Sequence, residues 1–279
     1  MKTSVCRRHL AGVPERTLED RSRRRFLAAL GGAVAGAYAF CRRPDPAVGF
    51  SSLRPEQTAK RFAFAQLRYA GGDWDPHPSA PAEFVRETER MTSVEAEPDR
   101  RVVGVADQQL FTLPFLCIAG RRDFQPFSGS ELERLRTWIE AGGTLVADDS
   151  AATPGYGFDA AFRRELARML PAGRLERLPA DHTVFKSFFL VRTVAGTRIA
   201  SPFLEGVTIE GRTAVIYSPN DLLGAFARDP LGRWLDPCAP GGDRQRRQAF
   251  HLGVNIVMYA LCGDYKQDRI HTPFLRQRI

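Results

Sequence analysis

Short and long apolar segments alternate along the chain from residue 61 onward, and polar stretches rich in turn-forming residues separate them. The short runs at 62–69, 101–105, 115–119 and 144–147 have the length and bulky side chains of strands. The run at 115–119 is almost entirely apolar, which is typical of a strand covered on both faces. These four runs predict the centre of a sheet.

Helical spacing of apolar residues predicts four helices, at 80–91, 131–140, 158–170 and about 246–261. The last helix is apolar around most of its circumference, so it should be buried. Asn255 lies in this apolar part and therefore needs a hydrogen-bond partner in the interior.

The helix that precedes the glycine pair 142–143 has clear signals at both ends. Either Ser128 with Glu131 or Ser130 with Glu133 can form a capping box at its start. The glycine pair is typical of a helix end. The strands on either side of this helix should run parallel, joined by a right-handed crossover.

The second half of the chain predicts two further strands, at 188–194 and 213–217, and Gly206 and Gly211 mark a hairpin-like region between them. Strands that alternate with helices predict an α/β fold with three layers around a mostly parallel sheet. Because ligands bind beyond the carboxyl ends of the strands in such sheets, the loops that follow strands should gather at one edge. These loops lie at 71–78, 148–157 and 218–221.

The first 39 residues resemble a twin-arginine export signal. Arg23 and Arg24 lie in the sequence S-R-R-R-F-L, a weakly hydrophobic Gly/Ala-rich stretch follows, and A-Y-A at 37–39 predicts cleavage after Ala39. The apolar run at 26–40 has 15 residues, whereas a helix that spans a bilayer needs about 20. Export to the periplasm is therefore predicted, and the alternative is a membrane anchor that faces the periplasm.

The predicted signal divides the chain into parts. These are a signal peptide at 1–39, a linker at 40–60, a single domain at 61–264 and a C-terminal tail at 265–279. The expected partners are the twin-arginine translocase during export and an envelope protein afterwards, and the membrane is contacted only through an uncleaved signal. Phe40 precedes Cys41 where a lipoprotein needs a small residue, which argues against lipidation.

The net charge of +8 belongs largely to the signal segment. Residues 1–39 carry eight Lys or Arg and three Asp or Glu, so five of these net positive charges lie there and three remain. The basic composition therefore predicts no nucleic-acid partner.

Cysteine usage gives no metal or redox motif. Four of the five cysteines follow residue 39, and no two of them form a C-x-x-C pair. Cys117 and Cys262 lie in apolar runs and are predicted to be buried free thiols. In an oxidising compartment Cys41 and Cys238 could form a disulfide, and the sequence does not decide whether they do.

A series of short motifs carries a family resemblance. In chain order they are L-R-Y-x-G-G-D-W at 67–74, P-F-L at 114–116, G-G at 142–143, D-D at 148–149, L-P-x-D-H at 178–182, Y-S-x-N-D-L at 217–222 and G-V-N at 253–255. Their order and spacing resemble the bacterial domain-of-unknown-function family 4159 over about 61–262. One departure is the pair Arg121-Arg122, where the resemblance leads us to expect a Gly-His-like pair.

The resemblance implies a class I glutamine amidotransferase-like fold, of flavodoxin-like architecture, and it implies no activity. Active glutaminases of that fold carry a cysteine on a sharp turn after a strand, whereas the comparable turn here, at 147–151, is A-D-D-S-A. We therefore expect an exported domain that lacks the glutaminase cysteine and serves as a ligand- or protein-binding module of the cell envelope.

The alternative is a periplasmic hydrolase built around the same turn. Asp148 and Asp149 with His182 could hold a divalent metal, or His182 could activate Ser150 as a nucleophile, so that Asp149, Ser150 and His182 are the candidate catalytic residues. A structural alternative remains open for each: an aspartate that caps the turn after the strand, and a loop histidine that only forms hydrogen bonds.

Two further groups are candidates for ligand binding at the same edge. They are Gly72, Asp73 and Trp74 after the first strand, and Asn220 and Asp221 after the strand at 213–217. The first group could instead form a tight turn with the tryptophan in the core, and the second an Asx-turn or a helix cap. His77, between two prolines, is expected at the surface.

Overall fold

The computed structural model of the protein describes residues 61–262, which form seven β-strands and four α-helices. The strands are β1 (Ala65–Leu67), β2 (Arg101–Val103), β3 (Phe115–Gly120), β4 (Thr144–Asp149), β5 (Glu176–Arg177), β6 (Glu205–Ile209) and β7 (Arg212–Ser218). The α-helices are α1 (Ala80–Met91), α2 (Gly129–Glu140), α3 (Gly157–Met169) and α4 (Gly242–Leu261). Short 3-10 helices lie at Gln108–Thr112, Thr183–Lys186 and Leu223–Phe226.

The strands form one sheet in the order β2-β1-β3-β4-β7-β6-β5. The first five in this order run parallel, whereas β6 is antiparallel to β7 and β5 is antiparallel to β6. The predicted fold class, an α/β fold with three layers around a mostly parallel sheet, is confirmed. The hairpin-like region around Gly206 and Gly211 is the β6–β7 hairpin.

Each face of the sheet has its own hydrophobic core. Residues of α1 and α4 pack on one face, and residues of α2 and α3 pack on the other. Strand alternation distributes side chains between the cores, so that in β4 Val146 joins the first core while Leu145 and Ala147 join the second. Both faces of the parallel strands are therefore covered, as the apolar run of β3 predicts.

Of the two capping boxes that the sequence allows at the start of α2, the structure has the one between Ser128 and Glu131. At the other end, Gly142 has a φ of 110° and the N–H of Gly143 donates to the carbonyl of Trp138 at 3.0 Å. A Cβ on Gly143 would lie 2.2 Å from the Trp138 ring, so this position requires glycine.

The prediction of a strand at 188–194 is wrong, because this segment is not part of the sheet. The N–H groups of Phe188 and Phe189 donate to Oδ1 of Asn255 at 3.1 and 2.7 Å, and Nδ2 of Asn255 donates to the carbonyl of Phe189 at 2.8 Å. A side chain of α4 thus provides the partners that a neighbouring strand would have provided. The same bonds satisfy Asn255, as its position in a buried helix requires.

The cysteine predictions are confirmed in part. Cys117 is buried, as predicted, within β3. The prediction that Cys262 is buried is wrong. Cys262 is exposed because it directly follows Leu261, the last residue of α4. Cys238 is buried. Cys41 lies outside the described residues.

Several predictions concern parts of the chain outside the described residues. These are the signal with Arg23 and Arg24, cleavage after Ala39, the linker at 40–60 and the tail at 265–279. Within residues 61–262, no helix is both long and apolar enough to cross a bilayer.

Candidate functional site

Loops that follow β1, β3, β4 and β7 meet at the carboxyl edge of the parallel strands. Oδ1 of Asp73, after β1, accepts hydrogen bonds from the N–H groups of Arg121 and Arg122, after β3, at 2.8 and 3.0 Å. The N–H of Asp221, after β7, donates to the carbonyl of Asp149 at the end of β4, at 3.1 Å. Hydrogen bonds therefore join the loops in two pairs, after β1 and β3 and after β4 and β7. This is the edge at which open α/β sheets bind ligands.

Asp148 extends β4 beyond the predicted end of that strand and points toward the α1 and α4 face. Its two carboxylate oxygens accept hydrogen bonds from the N–H groups of Leu222 and Leu223, at 2.8 and 3.0 Å. Burial, and next the charge of Asp221, raise the pKa of Asp148 to about 7, although the two amides and His77 oppose this shift. Asp148 thus holds the loop after β7 at the cost of a buried carboxylate.

Asp149 is the last residue of β4 and points to the opposite face. Its Oδ1 accepts from the N–H of Ala151 at 3.0 Å and its Oδ2 from the N–H of Thr153 at 2.8 Å. Burial raises the pKa of Asp149 above its usual range, and these two amides partly oppose the shift. The bonds are those of an aspartate that caps the turn after a strand, which is the structural alternative that the sequence left open.

His77 is buried, with only 4% of its surface exposed, so the predicted surface position is wrong. Its Nε2 lies 2.8 Å from Oδ1 of Asp221. The Thr197 hydroxyl donates to the other oxygen of this carboxylate, and the N–H of Gly224 donates to Oδ1 at 3.2 Å. The imidazole of His77 is buried because the buried carboxylate of Asp221 needs hydrogen-bond donors, and His77 provides one of them.

Arg121 covers the outer side of this His77–Asp221 pair. Its Nη2 lies 3.4 and 3.5 Å from the two ring nitrogens of His77. Its Nη1 is 3.8 Å from a carboxylate oxygen of Asp73, and 42% of the Arg121 side chain is exposed. A half-exposed cation therefore stands in front of a buried histidine–aspartate pair.

The remaining predicted ligand-binding residues take mainly structural positions. Trp74 packs against the second core and lies under the guanidinium of Arg100, 5.5 Å from the ring centroid. Asn220 holds the backbone of Ser201, accepting from its N–H and donating to its carbonyl, both at 2.9 Å. Gly72 is exposed in the loop after β1 with a φ of 61°.

His182 lies apart from the other two candidate catalytic residues, Asp149 and Ser150. Its Nε2 is 2.9 Å from the hydroxyl of Thr213, near the start of β7, and its Nδ1 accepts from the N–H of Val184 at 3.1 Å. Asp148 pairs in register with Ser218, at the other end of β7, which is five residues or roughly 16 Å along an extended strand. The chain crosses the α4 face of the sheet after β5, and this path carries His182 away from the carboxyl edge.

The two hydrolase sites that the sequence predicts are consequently not assembled. Asp148 and Asp149 point to opposite faces with His182 far from both, and among residues 61–262 no group of three His, Cys, Asp or Glu side chains is placed to hold a metal ion. Ser150 is buried, and its hydroxyl lies 3.5 Å from Oδ2 of Asp148. The histidine that the structure places at this edge is His77, beside Asp221, and not His182.

Sequence reasoning missed three contributors to the site: His77, Arg121 and Thr197. His77 had one usable signal, because it lies in a loop that follows a predicted strand and such loops gather at the carboxyl edge. Arg121 follows β3 in the same way. Thr197 is in an irregular segment, and its contact with Asp221 arises only from the tertiary fold.

The sheet and its polar edge define the protein as a three-layer α/β domain with a connected cluster of acidic and basic side chains at the carboxyl ends of its strands. The model of the family described as domain of unknown function DUF4159 matches residues 63–261. This match spans most of the chain, so the protein belongs to the DUF4159 family. A search of curated proteins finds no matching relative.

Proposed function

We propose that the protein is an exported, amidotransferase-like domain that binds a small ligand at the carboxyl edge of its sheet, in the cell envelope. The observation that carries this proposal is the buried His77–Asp221 pair with the half-exposed Arg121 in front of it. Such a rigid polar group, at the edge where open α/β sheets bind ligands, is typical of a binding site.

Glutaminase chemistry is not part of the proposal. In the amidotransferase-like fold that the resemblance implies, active glutaminases carry their cysteine on the sharp turn after a strand, and the comparable stretch here is Asp149 and Ser150 at the end of β4. Cys117 is inside β3, and burial raises the pKa of its thiol far above the usual range. A thiol that stays protonated and covered is a poor nucleophile.

Binding is favoured over metal-dependent hydrolysis because the carboxylates are already engaged. Asp148 and Asp149 each accept two backbone N–H groups, and Asp221 accepts from His77, Thr197 and Gly224. A metal ion would have to displace these donors. The same bonds fix the loops in place, as a preformed binding site requires.

One observation supports a hydrolase as the second candidate. The 2.8 Å contact between His77 and Asp221 resembles the orienting half of a catalytic triad. Ser150, on the loop after the neighbouring strand, would be the nucleophile. Covalent labelling of Ser150 by a fluorophosphonate probe, lost in Ser150→Ala, would support this candidate, and the absence of labelling would remove it.

A thermal-shift panel of amino acids, organic acids, nucleotides, sugars and polyamines tests the binding proposal. We expect at least one compound to raise Tm in a saturable manner. Thr153→Trp places a bulky ring on the loop after β4 and should abolish this shift, whereas Thr137→Trp on the exposed side of α2 should keep it. A panel without any saturable shift, or an equal loss in both variants, would contradict the proposal.

Export is tested by cell fractionation. Replacing Arg23 and Arg24 with lysines should leave the protein in the cytoplasm, because the twin-arginine pathway reads this pair. The other arginine pair of the segment, Arg7 and Arg8, serves as the control, and its replacement with lysines should leave export intact. Export that survives the change at Arg23 and Arg24 would rule out the twin-arginine route.

A further inference from the structure

Arg121 differs from Arg100 and Arg212 in how its guanidinium is used. Arg100 makes two hydrogen bonds of 2.5 Å to the carboxylate of Asp75, and Arg212 donates to the carbonyls of Gly143 and Ile139 at 3.0 and 2.6 Å. The Arg121–Asp73 distance is 3.8 Å, which is too long for a hydrogen bond. Its Nη2 lies 3.4 and 3.5 Å from the ring nitrogens of His77, so Arg121 keeps its Nε and Nη1 donors available for another partner.

The backbone around Arg121 is nevertheless fixed. Its N–H donates to Asp73, and its carbonyl accepts from the N–H of Phe158 at 3.4 Å. A Cβ on Gly157 would lie 2.4 Å from that carbonyl oxygen, so the first residue of α3 packs closely on Arg121. Behind the guanidinium stands the buried ring of His77. The donors are held in advance, and binding would order few further groups.

Apart from the partly exposed carboxylate of Asp73, 3.8 Å from Nη1 of Arg121, the charge that faces solvent around this site is mainly positive. Arg122 and Arg198 are exposed in loops at the same edge, and neither has an ion pair with any carboxylate of residues 61–262. The exposed Asp123 already pairs with Arg164, at 3.2 Å. The buried carboxylates of the edge are occupied by their own donors, so a ligand that approaches meets mainly guanidinium groups.

We infer that Arg121 is the anchor of an oxyanion site, which binds a carboxylate or phosphate group of a small molecule. This inference rests on the proposed ligand-binding function and names its ligand class. The planar guanidinium presents paired N–H donors that match two oxygens of such a group, which a neutral or cationic ligand lacks. Arg122 and Arg198 add attraction at longer range.

Calorimetric titration of the full chain with succinate and with inorganic phosphate tests the inference, at an ionic strength kept constant with NaCl. We expect at least one of the two to bind saturably, and the tighter one identifies the source of the oxyanion. Arg121→Gln should raise Kd about tenfold or more. Arg121→Lys keeps the charge but loses the paired donors, so its Kd should lie between the two.

Arg174→Gln is the matched control, because Arg174 is exposed just before β5 and away from the carboxyl edge. It should bind as the wild type does. Unchanged affinity in Arg121→Gln, or an equal loss in Arg174→Gln, overturns the inference. If both oxyanions fail while spermidine or a neutral panel compound binds and Thr153→Trp abolishes that binding, the oxyanion site is wrong and the binding function stands; failure of every compound overturns both.

Discussion

At the scale of single residues, the carboxyl edge is governed by how its buried carboxylates are satisfied. Asp149 and Asp221 accept backbone and side-chain donors, and Asp148 accepts two backbone amides while it also borders an apolar cavity lined by Phe84 and Phe226. Amide donors favour the charged form of Asp148, but the apolar surroundings and the nearby charge of Asp221 disfavour it more strongly. The ionised form of Asp148 therefore lowers the stability of the folded state relative to the protonated form.

The raised pKa of Asp148 predicts a pH dependence of stability. Because the folded pKa of about 7 exceeds the unfolded value, the folded state holds more protons between these values. Its stability therefore falls as pH rises through that range. Urea unfolding from pH 4 to 8 should show the wild type losing stability relative to Asp148→Asn up to about pH 7, with no further relative change above it.

The control for this experiment is Asp181→Asn, because Asp181 is exposed. Its free energy of unfolding should follow that of the wild type at every pH, within about 0.5 kcal/mol. A constant difference between the wild type and Asp148→Asn across pH 4 to 8 would show that Asp148 does not titrate differently on folding.

At the scale of elements, local signals determine the helices well and the irregular segments poorly. The helix α1 has the predicted bounds, and α2 begins with a predicted capping box, because spacing, caps and glycine stops act within a few residues. The segment at 188–194 has strand-like composition, yet Asn255 of α4 binds its backbone. That contact joins residues more than 60 positions apart, so no local pattern contains it.

The cap of α2 gives a prediction at this scale. Ser128→Ala removes the acceptor for the N–H of Glu131 and should lower the free energy of unfolding by about 1 kcal/mol. The Ser130 hydroxyl lies 3.2 Å from that of Ser128, so the matched control is Ser93, which is exposed just after α1. Ser93→Ala should change the value by less than about 0.5 kcal/mol. Urea unfolding of both variants measures the difference, and equal effects would contradict the assignment of Ser128 as the cap.

At the scale of the whole molecule, one seven-stranded sheet separates two hydrophobic cores. The helix α4 closes the first core with Leu252, Val254, Ile256 and Val257, each at most 2% exposed. Because every part of the sheet shares these cores with its neighbours, the domain at 61–264 should fold as one cooperative unit.

A chain trimmed to residues 61–264 tests this expectation. Fluorescence and far-UV circular dichroism should report a single unfolding transition at the same urea concentration. A second chain that ends at residue 241 lacks α4 and exposes the first core, so it should show no cooperative transition. Two separate transitions in the longer chain would divide the domain, and cooperative unfolding of the shorter chain would remove the role assigned to α4.

The sequence by itself determined the fold class, the helices and the edge at which polar loops gather, because these follow from the period of apolar residues and from turn-forming residues. It also carries the motifs of the DUF4159 family, whose model matches residues 63–261. Only the tertiary structure decided which side chains meet at this edge, where His77 contacts Asp221 and Arg121. It also decided that His182 lies away from the edge, in contact with Thr213. These contacts depend on where irregular segments cross the sheet, and that path is set by packing against both cores rather than by local spacing.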